Sequence, residues 1–286
     1  MTAPTISAIM VSWQTGPVLF DAIKAVLVDP NISELIVIDH ENPVEVRNEL
    51  DELAATQSRL RVHRTDQNLG FGKGCNIGAA EAQSEYLFFI NPDAKPEVGA
   101  ALQLIKALTR DEPTALAGAR ILDLDGIEQS GSRRRQLTLW RALATFSGLA
   151  KLGFAKPFGM EGEPLPVSSE RVGAISGAAF VISKAGFDTL GGFDEGYFLH
   201  VEDIDLCRRA SSVWFVTDAI VHHVGGTSKA GPFAVELEKA KSFFRYFWKF
   251  NTSFPGRMAT LLASPLIFTA IMLRALLSEI VSFVRR

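Results

Sequence analysis

The chain has 286 residues, of which 47% are hydrophobic and 21% charged, and its formal net charge is −3. This length can bury a sizeable core, and the charge gives no general basic footprint for nucleic acid, so we expect no nucleic-acid partner. The two cysteines, Cys75 and Cys207, allow one disulfide and form no C-x-x-C metal motif, which favours a reducing compartment. The N-terminal segment lacks the basic region of a secretory signal, so we expect a cytoplasmic protein.

The N-terminal third alternates β-prone and helical segments. This alternation predicts a parallel, doubly wound α/β sheet. Strands are predicted at residues 6–13, 33–40 (SELIVIDH) and 60–64 (LRVHR), and helices at residues 18–28 and 44–55.

A glycine-rich stretch, DQNLGFGKGCNIGAAEAQ, follows the third strand. Glycines permit positive φ and close approach of the backbone to a ligand, and a loop that runs into a helix N-terminus favours an anion. The stretch matches neither the P-loop pattern nor the full G-x-G-x-x-G fingerprint. It therefore fits either a phosphate cradle or an ordinary tight connection between a strand and a helix.

The stretch YLFFINPDAKP is a short apolar run that ends at a proline. Such a run is typical of a strand buried on both faces, and Pro92 should end it at about Asn91. Asp93 then lies at the carboxyl end of a central strand, where open α/β sheets bind their ligands. Its carboxylate suits a metal or a metal-bound phosphate. The alternative is that Asn-Pro-Asp only forms a turn.

The middle of the chain is less regular. A helix is predicted at residues 97–109 and a strand at 114–122, followed by an Asp-Gly turn. The basic triplet at residues 133–135 is expected either on a solvated surface or against phosphates. Residues 136–169 lose clear periodicity, which indicates a mobile or membrane-facing insertion.

Two clusters of titratable residues follow a predicted strand at residues 174–182. In the first, Glu202 and Asp205 would share a helix face, and the preceding aromatic GYFLH would raise the pKa of a carboxylate there, as suits a general base. Helix capping is the alternative role. The second is the pair His222 and His223, which could ligate a metal or simply pack. We favour His222 as the ligand.

The C-terminal part changes character. Residues 233–251 form an amphipathic helical pattern, and residues 258–273 contain 16 residues without charge but include Pro265. This is short of the roughly 20 apolar residues of a membrane span. From Lys249 onward the chain has five basic residues and one acidic residue, which favours in-plane docking on an anionic membrane surface. Packing on its own domain or on another subunit is the alternative, which leaves a homodimer open.

Taken in order, six motifs resemble the family 2 glycosyltransferases, especially the rhamnosyltransferase-like branch, over about residues 5–229. They are VSW, VIDHEN, NLGFGKGCNIGA, FFINPDA, SGAAFVISKAGFDTLGGFDEGYFLHVEDIDLCRRA and VHHVGGTS. The resemblance implies a GT-A fold with a mostly parallel, doubly wound central sheet. Its nucleotide-sugar-binding half would span residues 1–95, its acceptor and catalytic half residues 96–230, and a C-terminal helical extension residues 231–286.

The resemblance also implies an activity. A sugar, rhamnose from dTDP-rhamnose in this branch, would pass from a nucleoside diphosphate sugar to a lipid-linked or cell-envelope glycan, with inversion at the anomeric carbon. The cofactor would be a divalent metal, Mg²⁺ or Mn²⁺. The enzyme would work at the inner face of the cytoplasmic membrane, with peripheral contact through its C-terminal helices.

The family's functional residues map onto matching positions of this sequence. On the donor side, Ser12 and Trp13 would line the nucleotide pocket, Asp39 would face the base or ribose, and Asn68, Gly70 and Lys73 would cover the nucleotide and diphosphate. On the metal side, Asp93 would bind the ion, Asn91 replaces the first acid of a D-x-D-like motif, and His222 would complete the shell. Asp203 would be the catalytic base, with Glu202 beside it.

Two other functions fit the same residues. A nucleotidyltransferase would also use a carboxylate at a strand end and a metal, but it would release pyrophosphate instead of a nucleoside diphosphate. A noncatalytic scaffold that binds nucleotide sugars and recruits partners to the membrane would hydrolyse and transfer nothing.

Overall fold

The computed structural model describes residues 4–108, 112–225 and 232–284. The predicted domain boundary at residue 230 lies outside these ranges, as do the last three residues of the VHHVGGTS motif. The strands are β1 (Ile6–Ser12), β2 (Ile32–His40), β3 (Leu60–Thr65), β4 (Tyr86–Ile90), β5 (Ala94–Pro96), β6 (Leu116–Leu122), β7 (Arg133–Arg134), β8 (Ser169–Arg171), β9 (Ala174–Ile175), β10 (Ala179–Ser183) and β11 (Val213–His223). The helices are α1 (Val18–Val28), α2 (Val44–Thr56), α3 (Phe71–Glu81), α4 (Ala100–Ala107), α5 (Leu139–Ser147), α6 (Lys184–Thr189), α7 (Glu202–Arg209), α8 (Pro232–Phe250) and α9 (Phe254–Val284).

A mixed central sheet organises the molecule. Its strand order is β3-β2-β1-β4-β10-β6-β11-β5, with β8 paired to β11, and a separate ribbon joins β7 and β9. The first four of these strands are parallel, β10 runs antiparallel between β4 and β6, and β11 is parallel to β6. The predicted doubly wound α/β sheet is therefore confirmed, with β10, β5 and β8 as its reversed strands.

Helices cover both faces of the sheet. Since successive side chains of a strand point to opposite sides, each central strand contributes to both cores. In β1, Ile9 and Val11 join the core beneath α3, α7 and α8, whereas Ala8 and Met10 join the core beneath α1 and α4. All seven residues of β1 are buried, as expected of a parallel strand between two helical layers.

Three regions differ from the sequence-based expectation. The strand predicted at residues 174–182 is interrupted after Ile175, and the chain resumes as β10 at Ala179. The helix α5 forms inside the stretch predicted to lack regular structure, with Thr138 as its N-cap. The basic triplet is not a solvated surface: Arg133 is 1% exposed and pairs with Glu128 and Glu170.

The C-terminal helices pack on the domain through one side only. Phe243 and Tyr246 of α8 and Ile267 and Ile271 of α9 belong to the core, and α9 continues through Pro265. The opposite side of α9 exposes large apolar residues. Between Phe254 and Leu276 this helix is long and apolar enough to cross a membrane.

Candidate active site

The polar residues predicted for the donor side gather at the carboxyl edge of the sheet. Ser12 ends β1 and lies in register with Asp39 of β2. Asp39 is fully buried, and its Oδ1 accepts hydrogen bonds from Asn42 N at 3.0 Å and Asn42 Nδ2 at 2.8 Å. Asn42 Nδ2 also lies 2.9 Å from Ser12 Oγ. This amide, which sequence reasoning missed, fixes the two residues to each other, while Trp13 follows half-buried.

Two arginines stand beside the second oxygen of Asp39. Arg47 Nε lies 3.5 Å and Arg64 Nε 3.4 Å from Asp39 Oδ2, which are ion-pair rather than hydrogen-bond distances. The carboxylate is thereby compensated although it is buried. The sequence did not predict either arginine. Arg47 belongs to α2 and Arg64 to β3, and only the packing of these elements brings them to Asp39.

The glycine-rich stretch forms the turn before α3 and the whole of that helix. Asn68 Oδ1 accepts from Gly70 N at 2.9 Å, and Gly70 has φ +86°. A Cβ at Gly70 would lie 2.5 Å from the carbonyl oxygen of Phe198, so only glycine fits there. The turn thus rests on the aromatic segment before α7. Lys73 Nζ lies 3.8 Å from Glu195 Oε2.

The turn after β4 places Asp93 against the end of β11. Asp93 is 5% exposed, and its Oδ2 accepts from Gly225 N at 3.1 Å. Its Oδ1 lies 3.1 Å from His223 Nε2, and Asn91 Nδ2 lies 3.2 Å from the same nitrogen. The antiparallel pairing of β5 with β11 sets His223 opposite Ala94 and so produces this contact.

The structure places His223, and not His222, beside Asp93. His222, the predicted ligand, is 41% exposed and lies 3.7 Å from Glu97 Oε1, away from Asp93. Neighbouring residues of a strand point to opposite faces, so only one histidine of the pair can face the turn. The register of β5 and β11 places His223 on the face that contacts the Asp93 turn.

The pair formed by Asp93 and His223 fits a divalent cation. A carboxylate oxygen and an imidazole nitrogen 3.1 Å apart are donors that Mg²⁺ or Mn²⁺ accepts. Among the described residues, no group of three His, Cys, Asp or Glu side chains completes a metal site. The remaining coordination positions would belong to substrate phosphates and water, which is how proteins commonly bind Mg²⁺.

One short segment, residues 176–178, contacts both the acidic pair at the start of α7 and the turn that carries Asp93. Asp203 Oδ2 accepts from Gly177 N at 3.1 Å and from Arg134 Nη1 at 2.8 Å. One residue further along, the carbonyl oxygen of Ala178 accepts from Asn91 N at 2.9 Å. The break between β9 and β10 therefore joins the Asp93 turn to Asp203.

Glu202 differs from Asp203 in its surroundings. Burial, and then the negative charge of Asp203, raise the pKa of Glu202 to about 8, so it is mostly protonated at pH 7. Glu202 is therefore the carboxylate with the raised pKa that was expected beside the aromatic GYFLH segment. Burial also lowers the pKa of His200 to about 4, so this histidine is neutral.

The backbone just before α7 is strained. His200 has φ +66° and Val201 has φ +72°, a region that β-branched residues rarely adopt. Strain of this kind persists only where surrounding contacts hold it, and it clusters at functional sites. The packing of Gly70 against Phe198 and the buried Val201 provide such contacts.

Comparison with known proteins gives the following relatives. The family model described as glycosyl transferase family 2 matches residues 7–162. The N-acetylglucosaminyl-diphospho-decaprenol L-rhamnosyltransferase of Mycobacterium tuberculosis is 25% identical over 60% of this chain and 62% of its own length. The low-salt glycan biosynthesis hexosyltransferase of Haloferax volcanii is 24% identical over 63% of this chain and 53% of its own length. The matched region is thus less than two thirds of either relative.

Solved structures share the fold at lower identity. GalNAc-T7 with UDP, GalNAc and Mn²⁺ has a TM-score of 0.61 and 18% identity, over 86% of this chain and 48% of that one. A mannosyltransferase from Pyrobaculum calidifontis with GDP-Man and Mn²⁺ has a TM-score of 0.59 and 14% identity, over 98% of this chain and 76% of that one. The mixed sheet described above is therefore the GT-A fold.

Proposed function

Since this chain belongs to glycosyl transferase family 2, we propose that it transfers a sugar from a nucleoside diphosphate sugar to an acceptor hydroxyl, with inversion at the anomeric carbon. One observation carries the proposal. The Asp93–His223 pair and Asp203 lie on the two sides of the residues that join β9 to β10. A leaving-group site and a base are thus held by one rigid segment.

Asp93 and His223 would hold a divalent metal, with Asn91 shaping the turn. A metal bound there would offset the negative charge that develops on the leaving diphosphate. Because a metal-bound nucleoside diphosphate is a good leaving group, no second carboxylate is needed as an acid. The donor's nucleotide would lie along Ser12, Trp13 and Asp39.

Asp203 would accept the proton of the attacking hydroxyl. Its Oδ2 is oriented by the Gly177 amide and the Arg134 guanidinium, so the carboxylate has a fixed direction before substrate binds. Direct displacement needs one such carboxylate. Glu202, protonated at neutral pH, would contribute shape and hydrogen-bonding capacity instead of a second negative charge.

For the donor we propose dTDP-rhamnose, and for the acceptor a lipid-linked or cell-envelope glycan. Support comes from the Mycobacterium tuberculosis relative, whose name states an L-rhamnosyl donor group and a polyprenyl-diphosphate acceptor.

The C-terminal helices support a position on the cytoplasmic face of the membrane. Leu262 and Leu266 of α9 are exposed, whereas Ile267 and Ile271 on its other side are buried. Arg257 and Arg274 lie on α9, which has no acidic residue before Glu279. An apolar helix face with an excess of cations suits peripheral binding to anionic lipid.

A ligand panel tests the proposal. The full chain would be heated with nucleotide sugars, with and without Mn²⁺ or Mg²⁺, since a ligand at 100 times its Kd stabilises a protein by about 2.7 kcal/mol. We expect a metal-dependent shift and, in turnover assays with a lipid-linked glycan, release of a nucleoside diphosphate. Release of pyrophosphate would identify a nucleotidyltransferase. No shift with any nucleotide sugar would reject the proposal.

A further inference from the structure

We propose that Gln129 is a positioning residue for the metal site: it holds His223 with its proton on Nδ1 and its Nε2 lone pair directed at Asp93. This inference rests on the function proposed above, because it concerns the same Asp93–His223 pair. The contacts of the Gln129 side-chain amide carry it.

The two ends of this amide contact the same histidine. Gln129 Nε2 lies 2.6 Å from the His223 carbonyl oxygen, and Gln129 Oε1 lies 2.8 Å from His223 Nδ1. A carbonyl oxygen only accepts hydrogen bonds, so the NH₂ end of the amide must face it. The amide oxygen must then face Nδ1, and since it also only accepts, Nδ1 must carry the proton. In the tautomer with this single proton, the lone pair is on Nε2.

A short turn places Gln129 for this role. Asp123 Oδ1 accepts from Asp125 N and Ile127 N, which reverses the chain after β6. Gln129 N then donates to the Ile121 carbonyl at 2.9 Å. Because β6 lies beside β11, with Leu122 opposite His222, the Gln129 side chain reaches the last residue of β11.

The other ring nitrogen meets the metal-site residues. His223 Nε2 lies 3.1 Å from Asp93 Oδ1, so a lone pair and a carboxylate oxygen face each other. Such an arrangement is stabilised by a cation between them. Histidine ligands usually donate their second N–H to a carbonyl or carboxylate, which fixes the tautomer and ring orientation, and removal of that partner typically lowers metal affinity about 10- to 100-fold.

The test compares two substitutions at Gln129. Gln129→Met keeps the length of the side chain but removes both hydrogen bonds, whereas Gln129→Glu still accepts from Nδ1. We expect Mn²⁺ affinity, measured by electron paramagnetic resonance with a nucleoside diphosphate present, to fall about 10- to 100-fold in Gln129→Met and to stay within a few-fold in Gln129→Glu. Gln57→Met, at an exposed position after α2, is the matched control and should bind as the wild type does.

A second readout follows the ring itself. In ¹⁵N spectra of the protein with Mg²⁺ and a nucleoside diphosphate bound, His223 should show the Nδ1–H form in the wild type and in Gln129→Glu, and a mixture of tautomers in Gln129→Met. A merely structural residue would not change this signal. Unchanged Mn²⁺ affinity and an unchanged tautomer in Gln129→Met would overturn the role of Gln129 while leaving the metal site intact. Equal Mn²⁺ binding by the wild type and His223→Ala would overturn the metal site itself, and this inference with it.

Discussion

Arg134 Nη1 donates to Asp203 Oδ2 over 2.8 Å, and the same guanidinium nitrogen donates to the Ile175 carbonyl at 3.1 Å. The arginine is thus anchored to β9 at one contact and orients the first turn of α7 through the other. Because Gly177 N shares the same carboxylate oxygen, the Asp203 side chain has a defined direction. Any acceptor hydroxyl must approach a carboxylate that is already paired.

Replacement of Asp203 tests its role as the base. Asp203→Asn keeps the side-chain shape but cannot accept a proton, so we expect kcat to fall about 10²- to 10⁴-fold while the Kd for the donor is unchanged. Asp218→Asn, at an exposed position in β11, is the control and should retain activity. Turnover near the wild-type rate with normal donor binding in Asp203→Asn would reject the assignment.

The buried Glu202 predicts a pH dependence of stability. Its pKa of about 8 in the folded protein exceeds its ordinary value of 4.5, so between these pH values the folded protein keeps a proton that the unfolded chain releases. Stability should therefore fall as pH rises through this window, by at most about 1.4 kcal/mol per pH unit. Glu202→Gln, which is neutral at every pH, should lose this dependence.

Urea unfolding between pH 5 and 9 would measure the effect. Glu49→Gln, on the exposed side of α2, is the matched control and should follow the wild type. A parallel pH dependence for Glu202→Gln and the wild type would show that Glu202 is ionised in the folded protein.

The ion network between α8 and α7 predicts a loss of stability. Lys249 Nζ lies 2.7 Å from both Asp194 Oδ2 and Asp205 Oδ2, and Asp205 is fully buried. Lys249→Met removes this cation, so we expect the free energy of unfolding to fall by about 1–3 kcal/mol, a range discounted for the partial exposure of Lys249.

The control for Lys249 lies on the same helix. Lys241 pairs only with Glu238 and its side chain is 61% exposed, so Lys241→Met should change the free energy of unfolding by less than about 0.5 kcal/mol. Equal losses in the two variants, measured by chemical denaturation, would show that the network does not hold α8 on α7.

The exposed face of α9 predicts membrane binding. Leu262→Glu combined with Leu266→Glu places two charges on that face, and since each buried leucine contributes about 1.5–3 kcal/mol, co-sedimentation with anionic vesicles should fall at least about tenfold. Val44→Glu, at an exposed apolar position at the start of α2, should sediment as the wild type does. If the double variant instead abolished a dimer and left vesicle binding unchanged, the face would be a subunit interface.

Local sequence patterns were sufficient for most elements of the donor half. The apolar runs of β1, β2 and β4 and the helical period of α1 and α2 gave their positions to within one or two residues, because each run carries its own signal. The helix α5 was missed because its apolar residues Leu139, Leu143 and Phe146 form only a short stripe, and Phe146 packs on the distant Phe243 of α8.

The sequence by itself determined the order of the chemical groups: Asp39 near the end of β2, glycines at the start of α3, Asp93 after β4 and Glu202-Asp203 at the start of α7. These residues lie at or next to the ends of regular elements, so local periodicity places them. Only the tertiary structure decided which groups meet. The register of β5 with β11 selected His223 over His222, the break at residues 176–178 brought Asp203 towards the Asp93 turn, and burial raised the pKa of Glu202. Strand register and burial depend on contacts between segments far apart in the chain, which no local pattern records.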